Sequence, residues 1–487
     1  MIIGDLVNLK IEDMLDDGRG FARADGLAVF VDGGVLGDTV EVVITKVKKN
    51  IAEAKLVRVI TESPDRIKAE CPYFHECGGC SLQELKYEAQ LRLKENQVLS
   101  KLERIAGIEN PKFDEVIPAE TLKYYRNKAT FAVGPNGEVG FYKGKSHYVM
   151  DIDDCILQSD PAMACADALR RFLKHNLDRN GKLGKFSCLK QLVIKTAFST
   201  GEVMAVIEST QKEISQIEEL VDMLDEAIFF LSHDEDGELL ENVMEYKLVS
   251  VSILYEGKNA KPKSILVAGK PTIVDELIRE DGKSLKFEIG SQSFYQVNPE
   301  QMAKLYQKAF EYADLIGNEI VLDLYCGIGT IGLFMADKTK QIIGIESVKP
   351  AVIDANRNAV INEIINARYF TGKAEEVLPA LLGYSKLHKY NEVNELVECE
   401  LDIKLDSVDV AIVDPPRAGC HEALLQALAS AKPRRIVYVS CDAGTLARDL
   451  KYLTGSGYEF DSITLVDQFP RTTHVETVTQ LSLQAGL

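Results

Sequence analysis

The chain opens on short runs rich in β-branched residues, LVNLKIEDM, GLAVFVDGG, DTVEVVITKV and AEAKLVRVI, separated by glycine and charged turns. So many short strands in so little sequence predict a small β-barrel over 1–61. Ser63-Pro64 marks its exit. The apolar period then changes. SLQELKYEAQLRLKENQVLSKLERIAG (81–107) carries apolar residues at helical spacing and ends in glycine, which predicts a helix. Between 121 and 285, strand-like runs (ATFAVG, QLVIKTAF, EVMAVIE, YKLVSVSILY) alternate with helical ones such as 161–174. Residues 62–285 are therefore read as a central α+β domain. From about 286 the pattern is strand–helix–strand: EIVLDLYCG, QIIGIES, ARYFTGK, VDVAIVDPP, RIVYVSC and ITLVDQF each read as a buried strand. That predicts a doubly wound α/β domain over 286–487.

Composition changes this picture little. The chain has 487 residues, 46% hydrophobic and 27% charged, as globular proteins do. No apolar run is long enough to cross a bilayer. The first residues, MIIGDLVNLKIEDM, carry acids early and lack a basic-then-apolar leader layout, so a cytoplasmic enzyme is expected. The net charge of −19 argues against a crude polyanion binder. It is unevenly spread, however. Residues 213–245 hold twelve acids and no Lys or Arg, and 392–409 is acid-rich too. Basic clusters remain at Lys46, Lys48, Lys49, Arg126 and Lys128. An RNA groove is compatible with this, with weak non-specific binding.

Candidate chemistry begins in VLDLYCGIGTIG (321–332). Gly327, Gly329 and Gly332 satisfy GxGxxG after an apolar strand, and Glu346 ends the next strand about twenty residues on. That layout serves a nicotinamide dinucleotide or S-adenosylmethionine. Asp323 favours the second, because a carboxylate there repels a pyrophosphate and suits the cationic methionine portion. Asp414-Pro-Pro-Arg417 follows another strand; the prolines stop it and leave a polar side chain facing the crevice. Cys441 ends the strand RIVYVSC, on a rigid element at the crevice where α/β sheets bind ligands. Glu476 closes QFPRTTHVE and offers a carboxylate to the same crevice. A thiolate and a carboxylate facing one ligand can add to a ring and later remove its proton. Phe294, Tyr295 and Phe469 are candidates to stack on a base, with core packing the role of at least one. Separately, Cys71-x5-Cys77-x2-Cys80 has metal or cluster spacing, with Gly78-Gly79 allowing a tight loop and Cys155 as fourth ligand. Four thiolates suit zinc or an iron–sulfur cluster.

These segments together resemble the TrmA/RlmD family of RNA 5-methyluridine methyltransferases. IGSQSFYQVNP (289–299), DLYCGIGTIGL (323–333), IVDPPRAG (412–419), VSCDAGTLARDL (439–450) and DQFPRTTHVE (467–476) stand in family order. CPYFHECGGCSLQELKYEAQL, YYRNKATF and GFYKGKSHYVMDIDDCILQ match its cluster-bearing branch, and the barrel resembles a TRAM domain, an OB-like RNA-binding module. The resemblance implies a Rossmann-like class I methyltransferase domain that methylates uridine C5. It makes Cys441 the nucleophile and Glu476 the base, and places Gln296, Tyr325, Glu346 and Asp414 on S-adenosylmethionine. It favours a [4Fe–4S] cluster on Cys71, Cys77, Cys80 and Cys155, and ribosomal RNA as substrate, with transfer RNA as the alternative. Lys373 departs from the family, standing where many relatives carry Asp or Asn near the adenine. The stretch 385–405 looks like an insertion. Two other readings compete: a nicotinamide-dependent oxidoreductase, which leaves Cys441 and Glu476 idle, and a non-catalytic RNA-binding factor.

Overall fold

The computed structural model describes residues 1–257, 262–390, 396–399 and 403–484. Much of the acid-rich 392–409 stretch lies outside them, as does part of 385–405.

Residues 6–61 form a six-stranded sheet, led by Leu6–Lys10 and closed by Ile51–Thr61. It wraps a core of Leu9, Ile11, Val29, Val31, Val40, Val42 and Ile44. Asp38, fully buried, fastens the exit: it accepts bonds from Ser63 N (2.8 Å) and from Arg66 Nη2 (2.7 Å). A seven-stranded sheet follows, from Val149–Asp151 at one edge to Lys263–Gly269 at the other. The helices Asp160–His175 and Ile217–Phe229 cover it. The acids of 213–245 point outward from the second helix and its following loop, as expected of a solvated face.

The C-terminal sheet is built from β1 (Ile320–Leu324), β2 (Gln341–Glu346), β3 (Ala367–Thr371), β4 (Val410–Val413), β5 (Arg435–Ser440), β6 (Tyr458–Val466) and β7 (Glu476–Leu483). Its order is β3-β2-β1-β4-β5-β7-β6. The first five strands are parallel, and the chain reverses direction of winding between β1 and β4, where such sheets bind ligands. β1, β4 and β5 are almost wholly buried, which is why they read as continuous apolar runs. β7 was not legible that way. Its buried positions include Thr477 and Thr479, which break the apolar run, and it pairs antiparallel with both β5 and β6.

Two pieces of the 62–285 stretch join this sheet. Glu115–Ile117 pairs parallel with β6. The helix Tyr87–Lys101, continued by one π-helical turn to Ala106 and capped by Gly107 at φ 74°, buries Val98, Leu102 and Ala106 in the same core as β1 and β5. A hairpin, Thr272–Ile278 with Ser284–Gly290, packs on the opposite face with the helix Pro299–Ala313. Among the described residues no helix is long and apolar enough to cross a membrane.

Candidate active site

Strand ends position most of the candidate groups. Ser440, the last residue of β5, pairs with Thr477 of β7, so the next step of that antiparallel register sets Cys441 opposite Glu476. Asp442 then caps the following helix by accepting from Gly444 N (3.0 Å) and Thr445 N (2.8 Å), which fixes the turn carrying Cys441. Asp414 lies one residue past β4, and Tyr325 one past β1 with φ 61°. A tyrosine in that left-handed region is uncommon and marks a backbone shaped by its surroundings.

Reading across the sheet edge in strand order gives Glu346 (β2), Asp323 (β1), Asp414 (β4), Cys441 (β5) and Glu476 (β7). This row of acidic groups is electrostatically coupled. Burial, with Glu346 nearby, pushes Asp323 up to about 7. Burial and Asp323 push Asp414 up to about 7. Glu476, 3% exposed, is driven well above the ordinary carboxylate range by burial and then by Asp414. The Cys441 thiol is pushed up to about 12 by burial, Glu476 and Asp414. Arg417, from the Pro-Pro loop, is the cation that opposes the rise at both Cys441 and Glu476. So much latent negative charge, removed from water, suits a cationic ligand.

The glycine turn shows where that ligand fits. Gly332 N donates to Asp323 Oδ2 (2.9 Å), while Asp323 Oδ1 is buried without a partner. Gly327 faces open space, and its N–H donates to Glu346 Oε2 (3.2 Å). Gly329, at φ 82°, has no room for a side chain, because a Cβ would lie 2.5 Å from the Tyr369 hydroxyl. An unpartnered carboxylate oxygen beside an open backbone cradle fits the methionine end of S-adenosylmethionine. Beside it, a cavity of about 820 Å³ is lined by Tyr325, Ser347, Lys373, Glu375, Cys420 and Tyr452. Cys441, Glu476, Asp414 and Gln296 lie outside that cavity. Lys373 precedes the helix Ala374–Leu381 and pairs with Glu376 at 3.6 Å.

Gln296 is buried on a strap that leaves the hairpin at Gly290. Asn127 Nδ2 donates to the Gln296 carbonyl (2.9 Å), and Lys195 Nζ donates to the carbonyls of Gly290 (2.7 Å) and Ser293 (2.8 Å). The side-chain amides of Asn298 and Gln468 each donate to the other residue's main-chain carbonyl, at 3.3 and 3.2 Å, which ties the strap to the loop leading to Glu476. Of the three candidate aromatics, Phe294 is 63% exposed, Phe469 is half-buried, and Tyr295 belongs to the core.

That loop, 467–476, is anchored by residues the sequence did not single out. Lys94 and Asp467 form a fully buried ion pair at 2.5 Å; Lys94 Nζ also donates to Phe469 O (3.1 Å), and Tyr87 to Asp467 Oδ2 (2.8 Å). Loss of one partner leaves the other charge bare, which costs about 3–5 kcal/mol. Further along, Ser81 N and Leu82 N donate to Arg471 O, and Ser81 Oγ accepts from Thr473 N (3.0 Å). His474 contacts Arg417 at 3.2 Å. Burial and Arg417 hold its ring down to about 4, so it is neutral at physiological pH.

Cys71, Cys77, Cys80 and Cys155 are all free and half-buried. Cys80 is raised to about 12 by burial and then by Cys155 and Cys77, and Cys155 feels Cys77 and Cys71. Among the described residues, however, no set of three or more His, Cys, Asp or Glu is arranged to hold a metal ion. The four soft sulfur donors are of the type that a thiolate-ligated metal takes.

Strand order, the glycine turn and the acidic row define a class I S-adenosylmethionine-dependent methyltransferase. Comparison with known proteins narrows this. Residues 218–484 match the family model for tRNA (uracil-5-)-methyltransferase, and 3–57 match the TRAM domain. An uncharacterized RNA methyltransferase of Bacillus cereus is 36% identical over 485 residues, covering 98% of this chain and 97% of its own. One from Staphylococcus aureus is 36% identical over 487 residues, covering 99% and 98%. The crystal structure of Pyrococcus abyssi tRNA (uracil-54, C5)-methyltransferase with S-adenosyl-L-homocysteine superposes with a TM-score of 0.69, at 26% identity, over 97% of this chain and 99% of that one. The chain belongs to the tRNA (uracil-5-)-methyltransferase family and is an RNA uracil-5-methyltransferase.

Proposed function

We propose that this enzyme methylates C5 of uridine in large-subunit ribosomal RNA through a covalent bond between Cys441 and C6. The observation that carries the reading is the β5–β7 register, which supports a thiol and a carboxyl facing one base. C5 of uracil is too weak a nucleophile at neutral pH. As the base enters, the Cys441 thiol releases its proton to solvent, and the field of Arg417 favours the thiolate. Sulfur adds to C6, and the C5–C6 electron pair shifts into an enolate. Gln296, Tyr325, Glu346 and Asp414 would hold S-adenosylmethionine, which would supply the methyl group that C5 accepts. Glu476, as carboxylate, then removes the C5 proton; the C6–S bond breaks and the ring is restored. The base must leave its stack for this, and Phe294 is the exposed ring suited to receive it.

Three units divide the work in this reading: 1–61 as the RNA-binding barrel, 62–285 as the cysteine-bearing centre, and 286–487 as the methyltransferase. Cys71, Cys77, Cys80 and Cys155 would hold a [4Fe–4S] cluster beside the loop at Ser81. Protein purified without oxygen is expected to carry about four irons per chain, and Cys80→Ala to lose them. Zinc, or no metal, in the wild type would overturn the assignment. Ribosomal RNA is favoured by the cysteine set, whereas the name of the Pyrococcus abyssi enzyme favours transfer RNA. Unmodified RNA tritiated at uridine C5 separates the two. Cofactor-dependent tritium release is expected from large-subunit ribosomal RNA and not from transfer RNA, and the opposite preference would reassign the substrate.

A further inference from the structure

We propose that single-stranded RNA flanking the target uridine is held in the groove beside the cysteine loop chiefly by base stacking, with Tyr142 and His147 as its outer contacts. The inference rests on the RNA methyltransferase reading and extends it to where the substrate strand runs.

A cavity of about 750 Å³ lies between the barrel (Arg19, Lys55), the cysteine loop (Phe74, His75) and Thr472–His474. Its inner end is the catalytic end, because His474 touches Arg417, whose field reaches Cys441 and Glu476. Its outer end adjoins a second depression of about 530 Å³, and the two share Gly78, Gly79 and the 143–145 turn. There the rings of Tyr142 and His147 meet edge to face at 5.9 Å, with Tyr142 41% exposed. The hairpin carrying them docks on the cysteine loop through Gly78 N to Tyr142 O (3.4 Å) and Gly144 N to Glu76 O (2.8 Å). The two depressions thus run from exposed rings to His474, which touches Arg417.

Charge decides how that track binds. Three of its four cations, all but Lys55, face carboxylates: Arg19 with Asp17 at 2.8 Å, Lys143 with Glu76 at 2.8 Å, and Lys145 with Asp32 at 3.3 Å. Few phosphate charges are left for it to neutralise, so counterion release contributes little. Exposed rings in a near-neutral groove bind unstacked bases and tolerate many sequences. A basic protein segment, the competing occupant, has little net negative charge to meet here.

The test uses full-length protein and a fluorescein-labelled oligouridylate, with anisotropy read from about 50 to about 200 mM salt. Tyr142→Ala and His147→Ala are each expected to weaken binding about five- to tenfold, while Tyr142→Phe binds as wild type. The slope of log K against log salt is expected to be no steeper than about −2. Wild-type affinity in both alanine variants would overturn the proposal. So would a steep slope with Lys143→Ala as the largest loss, which would assign the groove to phosphates. Tritium release from unmodified RNA separates the two failures. If the wild-type enzyme releases tritium and the ring variants bind normally, the groove assignment alone fails. If the wild type neither binds the oligouridylate nor releases tritium from any RNA, the substrate reading fails with it.

Discussion

Glu476→Gln is expected to stop the reaction after methyl transfer, with RNA still bonded to the protein. The amide has the shape of the protonated carboxyl, which is the form that burial and Asp414 favour at this site. The fold therefore tolerates the change, and the effect falls on chemistry. Without a carboxylate opposite Cys441, the C5 proton stays and the C6–S bond cannot break by elimination. Turnover should fall about 10²- to 10⁴-fold. A methylated RNA–protein band should persist on a denaturing gel when S-adenosylmethionine is present. Near-normal turnover with no such band would remove Glu476 from the role of base.

Cys441→Ala is expected to abolish activity, by about 10⁴-fold or more, together with tritium release and any covalent complex. Cofactor binding should survive, because Asp323, the glycine turn and Glu346 belong to other strands. Asp442 still caps the helix that follows, so the local turn should hold. The half-buried position of Cys441 and its high proton affinity mean the free enzyme keeps the thiol protonated. A cation entering beside Asp414 and Glu476 lowers the cost of the thiolate. The nucleophile is thereby formed where the methyl donor and the base are both present.

Much of this site was readable in the sequence because rigid strands announce themselves. β1, β4 and β5 are apolar runs that stop at glycine, proline or cysteine, and those stops are Gly327, Pro415 and Cys441. What stayed hidden depends on pairing over long distances. Glu115–Ile117 is three residues long, too short to show a period, and joins β6 only through the folded chain. β7 carries threonine at buried positions between its apolar ones, so the strand that begins at Glu476 left no continuous apolar run. Lys94 sits one helical turn from Gln90 on the buried face of its helix, and a lysine at such a position was the single sign of the pair with Asp467. Arg417 and His474 were visible as letters in family motifs. Their contact at 3.2 Å, and the field of Arg417 at Cys441, come from two loops that approach across the sheet edge.

The covalent step is tested most directly with large-subunit ribosomal RNA transcribed with 5-fluorouridine in place of uridine. Fluorine at C5 cannot be removed as a proton, so a bond formed at C6 becomes permanent once the methyl group has been transferred. Incubation with S-adenosylmethionine should give a protein–RNA complex stable to denaturation, and digestion with mass spectrometry should place the nucleotide on the Cys441 peptide. Methylation of ordinary RNA without any adduct on the fluorinated RNA, or an adduct on a different residue, would contradict the account.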